Sequence, residues 1–260
     1  MQCMHHHWVS SSTSRNCENT SQFAVCMERV SAVEVLTWVR AARASHDQTV
    51  QRQAIEHCEV IRTRPDAFRL VLALLPELLL SPGEDQAAAA FWLLDVLCSC
   101  ISRNWTVLSD EDRNQVRSWL MIFVRDQFPQ LHLPSCKLLM IMLLTCADFK
   151  NKLALVFVQL IRVDFPKAWS SFFSDFMGLL EISKLNIDLF LRVLQTLDED
   201  VLSVASTNRE DIAIKTDIVN AFRHLFVSKL ARETEFEIIV LNYLLLFGWP
   251  FLKVWNQNLN

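Results

Sequence analysis

Apolar side chains recur at intervals of three and four residues from about residue 31 onward, and short polar breaks interrupt them. This spacing puts the apolar side chains on one face of an α-helix. Several breaks contain helix-starting residues: Ser31 and Glu34 are spaced as a capping box, and Asp47 is placed as a cap. The pattern predicts about ten helices, which begin near positions 31, 47, 66, 84, 110, 151, 166, 186, 208 and 234.

The apolar positions of each predicted helix form the expected core. In the first helix they are Val33, Leu36, Trp38, Val39 and Ala42; in the second, Val50, Ala54, Ile55, Cys58 and Ile61; in the fourth, Phe91, Leu94, Val96 and Leu97; and in the seventh, Trp169, Phe172, Phe173, Phe176 and Leu180. Helix pairs recur about every 40 residues, as in HEAT repeats, so an all-α solenoid of antiparallel pairs is predicted. Periodicity alone leaves a closed helical bundle as the alternative.

Composition agrees with an all-α chain. Only 3 glycines and 7 prolines occur in 260 residues, whereas strand-rich folds need many turn glycines. Hydrophobic residues make up 52% and charged residues 21%, enough apolar surface for a sizeable core. Residues 1–27 are polar and are expected to form a disordered lead, in which His5 to His7 are interpreted as an incidental tract and not as a metal site.

Charge and chemistry exclude several classes of function. The net charge of −4 does not suit a domain that binds nucleic acid through phosphate neutralisation alone. The 8 cysteines form no C-x-x-C pair, which favours reduced, buried thiols in the cytosol or nucleus. His57 and Cys58 are adjacent and would point apart on a helix, and no glycine-rich phosphate loop occurs. We therefore predict no catalytic residues, no cofactor, no metal and no small-molecule substrate.

Membrane insertion is also not expected. The two most apolar stretches, 138–147 and 238–246, are about ten residues long or shorter. A helix needs roughly 20 apolar residues to cross a bilayer. Both stretches are interpreted as buried helix.

Residues from about 27 to 245 resemble the N-terminal part of the importin-β superfamily of nuclear transport receptors. The most specific segments are Lys150-Asn151-Lys152-Leu153-Ala154 and Phe165-Pro166 followed by Trp169, Phe172 and Phe173, an order similar to the exportin-1/importin-β-like domain. The segments 188–194 and 214–217 are similar to the branch of the superfamily that exports tRNA. The resemblance places a HEAT-repeat region at 28–247, with the exportin-1/importin-β-like domain at about 87–246.

The resemblance implies how such a receptor works. Its N-terminal repeats would bind the GTPase Ran in its GTP form, cooperatively with tRNA, and it would contact nucleoporins while shuttling between nucleus and cytoplasm. The concave face is expected on second helices of the pairs, here about 66–80, 110–128, 166–181 and 208–230. The candidate contact residues on these helices are Arg69, Glu77, Arg113, Arg117, Lys167, Asp175, Lys215 and Arg223. For each of them a solvated helix face is the alternative, and Asp110 or Glu111 is an alternative partner for the two central arginines.

The chain also departs from the family pattern. Residues 130–148 have no counterpart in it and are interpreted as an insertion, and residues 248–260 do not continue the next repeat. Because family members are several times longer, the resemblance implies a fragment or a short form. A receptor for another cargo, or a HEAT-repeat scaffold without a transport role, remains the alternative function.

Overall fold

The structure is a computed structural model that describes residues 30–80, 83–132, 147–202, 204 and 208–230. These residues form nine α-helices and no strand. The helices are α1 (Ala32–Ala44), α2 (Gln48–Arg62), α3 (Ala67–Leu80), α4 (Glu84–Asn104), α5 (Asp110–Ile122), α6 (Ala147–Asp164), α7 (Phe172–Leu179), α8 (Lys184–Leu197) and α9 (Arg209–Leu230). A 3-10 turn (Trp105–Val107) precedes α5, and a π-helical turn (Asp198–Leu202) follows α8.

The predicted caps form where the sequence placed them. The Ser31 hydroxyl accepts from the backbone N–H of Glu34, and the Glu34 carboxylate accepts from the backbone N–H of Ser31, so the capping box is complete. The Asp47 carboxylate accepts from the N–H groups of Thr49 and Val50 at the start of α2. These bonds satisfy donors that the first turn of a helix leaves unpaired.

The helices form two layers of a HEAT-like solenoid, as predicted. In the first layer α1 contacts α3, and α3 contacts α5. In the second layer α2 contacts α4, α4 contacts α6, and α6 contacts α8. Within the second layer α4 and α6 each contact the helix before and the helix after them, which is the arrangement of a stack and not of a bundle closed around one centre.

Helix pairing differs from the prediction by one helix. The helix α1 packs on α2, and α3 packs on α4, so α3 is the first helix of its pair. We expected residues 66–80 to form a second helix. Sequence spacing alone cannot decide this, because either neighbour of a helix is joined to it by an equally short link.

Two helix starts were also placed wrongly. The predicted start at 164–166 is the end of α6, and turns continue to Ser171 before α7 begins at Phe172. A cis peptide bond joins Phe165 to Pro166 in this turn. The start predicted at Asn186 lies instead at Ser183, whose hydroxyl accepts from the N–H of Leu185.

Asn186 has another role inside α8. Its side chain is fully buried and its amide donates to the carbonyl oxygen of Leu179 at 2.8 Å. The bond fixes α8 against the end of α7. A polar residue that resembles a cap in the sequence is therefore used for packing, because tertiary contact removes it from water.

Burial follows the predicted faces with four exceptions. Val33 is 71% exposed, and Val50, Ile55 and Phe91 are between 38% and 45% exposed. On α1 the buried side chains are instead Ala32, Val35 and Val39. These exceptions lie in α1, α2 and α4.

Aromatic rings fill the core where α6, α7 and α8 meet. Phe172 contacts four rings, those of Phe157, Trp169, Phe173 and Phe176, with centroids 5.0 to 6.0 Å apart. The Phe176 ring also lies 5.2 Å from that of Phe190 in α8. Edge-on ring pairs add a little to the free energy of burial and fix the orientation of the elements that carry them.

The three cysteines that the structure describes, Cys58, Cys98 and Cys100, are free and buried. Burial raises the pKa of the Cys58 and Cys100 thiols to about 11 and that of Cys98 to about 12. These thiols are therefore protonated and unreactive at neutral pH, as expected for small hydrophobic core residues.

One helix within the described residues, 84–107, is long and apolar enough to cross a membrane on length and composition. Its most apolar window is 56% buried against neighbouring helices, as in the core of a helical stack. The two stretches considered from the sequence lie largely or wholly outside the described residues, as do the lead 1–27, most of the proposed insertion and the tenth predicted helix.

Candidate partner-binding surface

Three of the predicted contact residues have side chains that are exposed to solvent. Arg69 and Glu77 lie on α3, and Lys167 lies in the turn that follows α6. The Arg69 guanidinium is 3.1 Å from the Asp112 carboxylate of α5, but 64% of the arginine side chain stays exposed. It joins two neighbouring helices while remaining accessible to a partner.

Arg113 pairs with Asp110 one turn before it, at 2.6 Å, as the alternative reading from the sequence proposed. The pair is typical of a helix surface, where such contacts contribute a few tenths of a kcal/mol. Arg113 remains partly exposed on α5.

Arg117 is placed differently from the other candidates. Its side chain is only 11% exposed, and it pairs at 2.9 Å with Asp164, which is 2% exposed. The same guanidinium donates to the carbonyl oxygen of Ala168 and to the Asn114 side chain, at 3.2 and 2.6 Å. The alternative partners Asp110 and Glu111 do not bind it. Arg117 therefore ties α5 to the end of α6.

Asp164 completes a buried polar cluster. Its second carboxylate oxygen accepts from the indole N–H of Trp105 at 2.8 Å, and its backbone carbonyl accepts from the N–H groups of Ala168 and Trp169. Sequence reasoning assigned Asp164 to a helix start and did not pair it with Arg117, since 47 residues separate the two.

The remaining candidates lie toward the last helices. Asp175 accepts from the indole of Trp169 and from the Ser171 hydroxyl, so it orders the start of α7. Lys215 in α9 donates to the backbone carbonyl oxygens of Leu202 and Val204. Arg223 lies on α9, and its side chain is outside the described part of the structure.

A second set of charged side chains crosses the second layer, and we call it the charge row. It comprises Arg62 of α2, Asp95 of α4, Lys150 and Lys152 of α6, and Asp188 and Arg192 of α8. Asp95 binds Arg62 at 3.1 Å and Lys152 at 2.5 Å. Asp188 binds Lys150 at 2.5 Å and Arg192 at 3.2 Å. The charge row thus connects four successive helices.

The charge row explains the family-like segment at 150–152. Lys150 and Lys152 are 10% and 17% exposed, and each donates to a carboxylate on a neighbouring helix. Between them Asn151 accepts from Arg192 at 2.6 Å. These lysines therefore have a structural role in joining neighbouring helices. Asp95 was missed, although a lone acid among apolar residues of a helix signals a buried partner.

The charge row predicts a dependence of stability on pH. Partial burial alone would raise the pKa of Asp95, but Lys152 and Arg62 outweigh it and hold that pKa below its ordinary value of 3.8. A lowered pKa contributes stability above the unfolded-state value, and that stability is lost as pH falls through the folded-state pKa. We expect Asp95→Asn to cost about 1–2 kcal/mol at pH 7, and the difference from wild type to shrink as pH falls below 3.8 through the folded-state pKa.

Urea denaturation at pH 7, 5, 4 and 3 measures this difference. The matched control is Glu111→Gln, which changes an exposed acid for which no ion pair is found among the described residues. If Asp95→Asn and Glu111→Gln gave the same pH profile, Asp95 would not stabilise the stack through its charge.

Comparison with known proteins shows which families the sequence of this chain is similar to. Residues 148–232, which hold nearly all of α6 and the whole of α7, α8 and α9, match the family model described as Exportin 1-like protein. The range lies inside the 87–246 region that the sequence resemblance indicated. The match covers about a third of the chain, and over this range the chain is similar to exportin-1-like proteins.

The chain is also similar to exportin-T proteins of several organisms. Exportin-T of Dictyostelium discoideum is 27% identical over 195 residues, which is 74% of this chain and 16% of the relative. Exportin-T of Arabidopsis thaliana is 39% identical over 84 residues, 32% of this chain and 8% of the relative. The human protein is 22% identical over 170 residues, 63% of this chain and 16% of the relative. The chain therefore spans about one sixth or less of these relatives.

Proposed function

We propose that this chain is part of a nuclear export receptor that binds Ran in its GTP form and tRNA cooperatively. The similarity to exportin-T from three organisms, over as much as 74% of the chain, is the observation that carries the proposal. The receptor would contact nucleoporins and shuttle between nucleus and cytoplasm. It would act by binding and not by catalysis, in keeping with the transport role of its relatives.

The stacked architecture supports this mechanism. In a solenoid each helix pair contacts only its neighbours, so small rotations between pairs add up to a change in curvature. Two ligands that both prefer one curvature bind cooperatively, and each strengthens the other by the same factor. The charge row and the Arg117–Asp164 pair are the polar contacts that any such change has to preserve or break.

The exposed candidates provide the contact residues for the proposal. Arg69 and Lys167 present positive charge, and Glu77 presents negative charge, on helix α3 or on the turn that follows α6. Arg113, Asp175, Lys215 and Arg223 complete the proposed set. Arg117 is left out of it, because its side chain is only 11% exposed and its guanidinium is held inside the fold by Asp164, Ala168 and Asn114.

Binding to Ran tests the proposal. With biolayer interferometry we expect the chain to bind Ran loaded with a non-hydrolysable GTP analogue and not Ran loaded with GDP. Added tRNA should raise the affinity for Ran, whereas an unstructured RNA of equal length should not. The double variant Arg69→Glu and Lys167→Glu should weaken Ran binding by about tenfold, since mutated interface charges lose attraction and add repulsion.

The matched control is Lys184→Glu, which reverses an exposed charge at the start of α8, in the other layer. It should leave Ran binding within about twofold of wild type. Equal binding to the GTP and GDP forms of Ran would contradict the proposal. Failure of a form extended to the length of the relatives to bind Ran would contradict it as well.

One observation favours a second candidate. Exportin-1 of Schizosaccharomyces pombe is 21% identical over 183 residues, which is 68% of this chain. A receptor of the same class with a different cargo would bind Ran in the same manner. It would differ by showing no increase in Ran affinity when tRNA is added.

A further inference from the structure

A cleft opens where four elements end close together. The last turn of α4 contributes Ser102, the last turn of α6 contributes Arg162 and Val163, the π-helical turn contributes Asp200, and α9 contributes Ile214 and Lys215. The space is about 530 Å³ and opens to solvent. Small-ligand and peptide sites commonly have about 300–1,000 Å³, so the cleft can receive a short segment but not the face of a folded domain.

The cleft has an aliphatic part that is incompletely covered. Val163 is 45% exposed and Val204 is 51% exposed, and Ile214 beside them is partly buried against the core. Contact with a further apolar side chain would remove this surface from water and lower the free energy.

The charges of the cleft are not neutralised internally. Arg162 is exposed, and within the described part of the chain it has no ion-pair partner; the same holds for Asp200. Lys215 donates to two backbone carbonyl oxygens and to no carboxylate there. Among the described lining residues, two cations against one carboxylate give a net charge of +1 next to the aliphatic surface.

We propose that this cleft binds a short acidic–aliphatic peptide segment of a protein partner, with a carboxylate on Arg162 and an aliphatic side chain over Val163 and Ile214. Charge complementarity selects the acidic residue, and the exposed valines select the aliphatic one. Lys215 is the one described lining residue that also belongs to the contact set proposed for Ran and tRNA.

The lining disfavours RNA as the occupant. Proteins hold unpaired bases mainly by stacking on aromatic rings, and none of the described residues that line the cleft is aromatic. The Asp200 carboxylate would also face the phosphates. A peptide can direct its carboxylate to Arg162 and keep its backbone N–H groups toward Asp200 and the Gln159 side chain.

Fluorescence anisotropy with a labelled octapeptide, two central leucines flanked by glutamates, tests the proposal. Wild-type chain should bind it saturably, and Arg162→Ala should weaken binding at least fivefold. Val163→Asp, at a half-exposed position, should abolish it. The matched control Arg103→Ala removes an exposed cation next to Ser102 that is not part of the lining, and it should stay within twofold of wild type.

Two altered peptides test the two halves of the site. Replacing the leucines by serines, or the glutamates by glutamines, should each weaken binding at least fivefold. Thermal melting monitored by circular dichroism shows that the variants are folded. The proposal is overturned if the wild type does not saturate below about 1 mM peptide, if Arg162→Ala and Arg103→Ala act alike, or if tRNA displaces the peptide and itself requires Arg162.

Discussion

Replacing Asp164 by alanine is expected to lower the free energy of unfolding by about 3–5 kcal/mol, because it leaves a buried arginine without its counter-charge. Arg117 is 11% exposed and would keep only the Asn114 and Ala168 oxygens as acceptors. Trp105 is only 3% exposed, and its indole N–H would lose its acceptor as well. Chemical denaturation followed by tryptophan fluorescence and by circular dichroism measures the change.

Two comparisons make this result specific. Asp110→Ala removes the exposed partner of Arg113 and should cost no more than about 0.5 kcal/mol. The double variant Asp164→Leu with Arg117→Met removes both buried charges and should recover most of the loss, since the penalty comes from one unpaired charge. A cost for Asp164→Ala as small as that for Asp110→Ala would show that Arg117 is solvated and not buried.

Replacing Phe172 by alanine is expected to cost about 3–5 kcal/mol, the range for a large side chain removed from a packed core. Phe172 is fully buried and contacts the rings of Phe157, Trp169, Phe173 and Phe176. The cavity would lie between α6 and α7, so the short helix α7 should lose its protection first. Hydrogen exchange monitored by mass spectrometry, together with urea denaturation, measures both effects.

Phe91→Ala is the matched control on an aromatic residue that is 38% exposed. It removes the same atoms from the surface of α4, where water fills the space, and it should cost clearly less than Phe172→Ala. If the two substitutions cost the same, or if exchange in α7 were unchanged by Phe172→Ala, the aromatic cluster would not be what holds α7 on α6.

Helix type and, within the described residues, helix number could be predicted from the sequence because both are local properties. The capping box of Ser31 and Glu34 and the cap at Asp47 involve atoms within three residues of each other. The rule fails at Asp164 and Asn186. Both have the side chain of a cap, but tertiary contacts bury them and use them for the Arg117 pair and for the Leu179 carbonyl.

The sequence did not distinguish the accessible candidate contact residues from the buried one. Arg69, Glu77 and Lys167 are exposed, as a partner contact requires, and Arg113 is partly exposed, whereas Arg117 is buried. Arg113 and Arg117 are four residues apart, so the sequence places both on about the same face of α5. The packing of α5 against the turn at 164–168 decides which of them faces the protein interior.

The sequence by itself determined the helical class, the repeat of helix pairs and the resemblance to exportins, because these depend on periodicity, caps and the order of short segments. Only the tertiary structure decided which helices pair, which charges cross from one repeat to the next, and where the α4, α6 and α9 cleft opens. Those features join residues such as Asp95 and Lys152, which are 57 positions apart. No local pattern specifies such a contact, since it forms only when the stacked layers bring the two helices side by side.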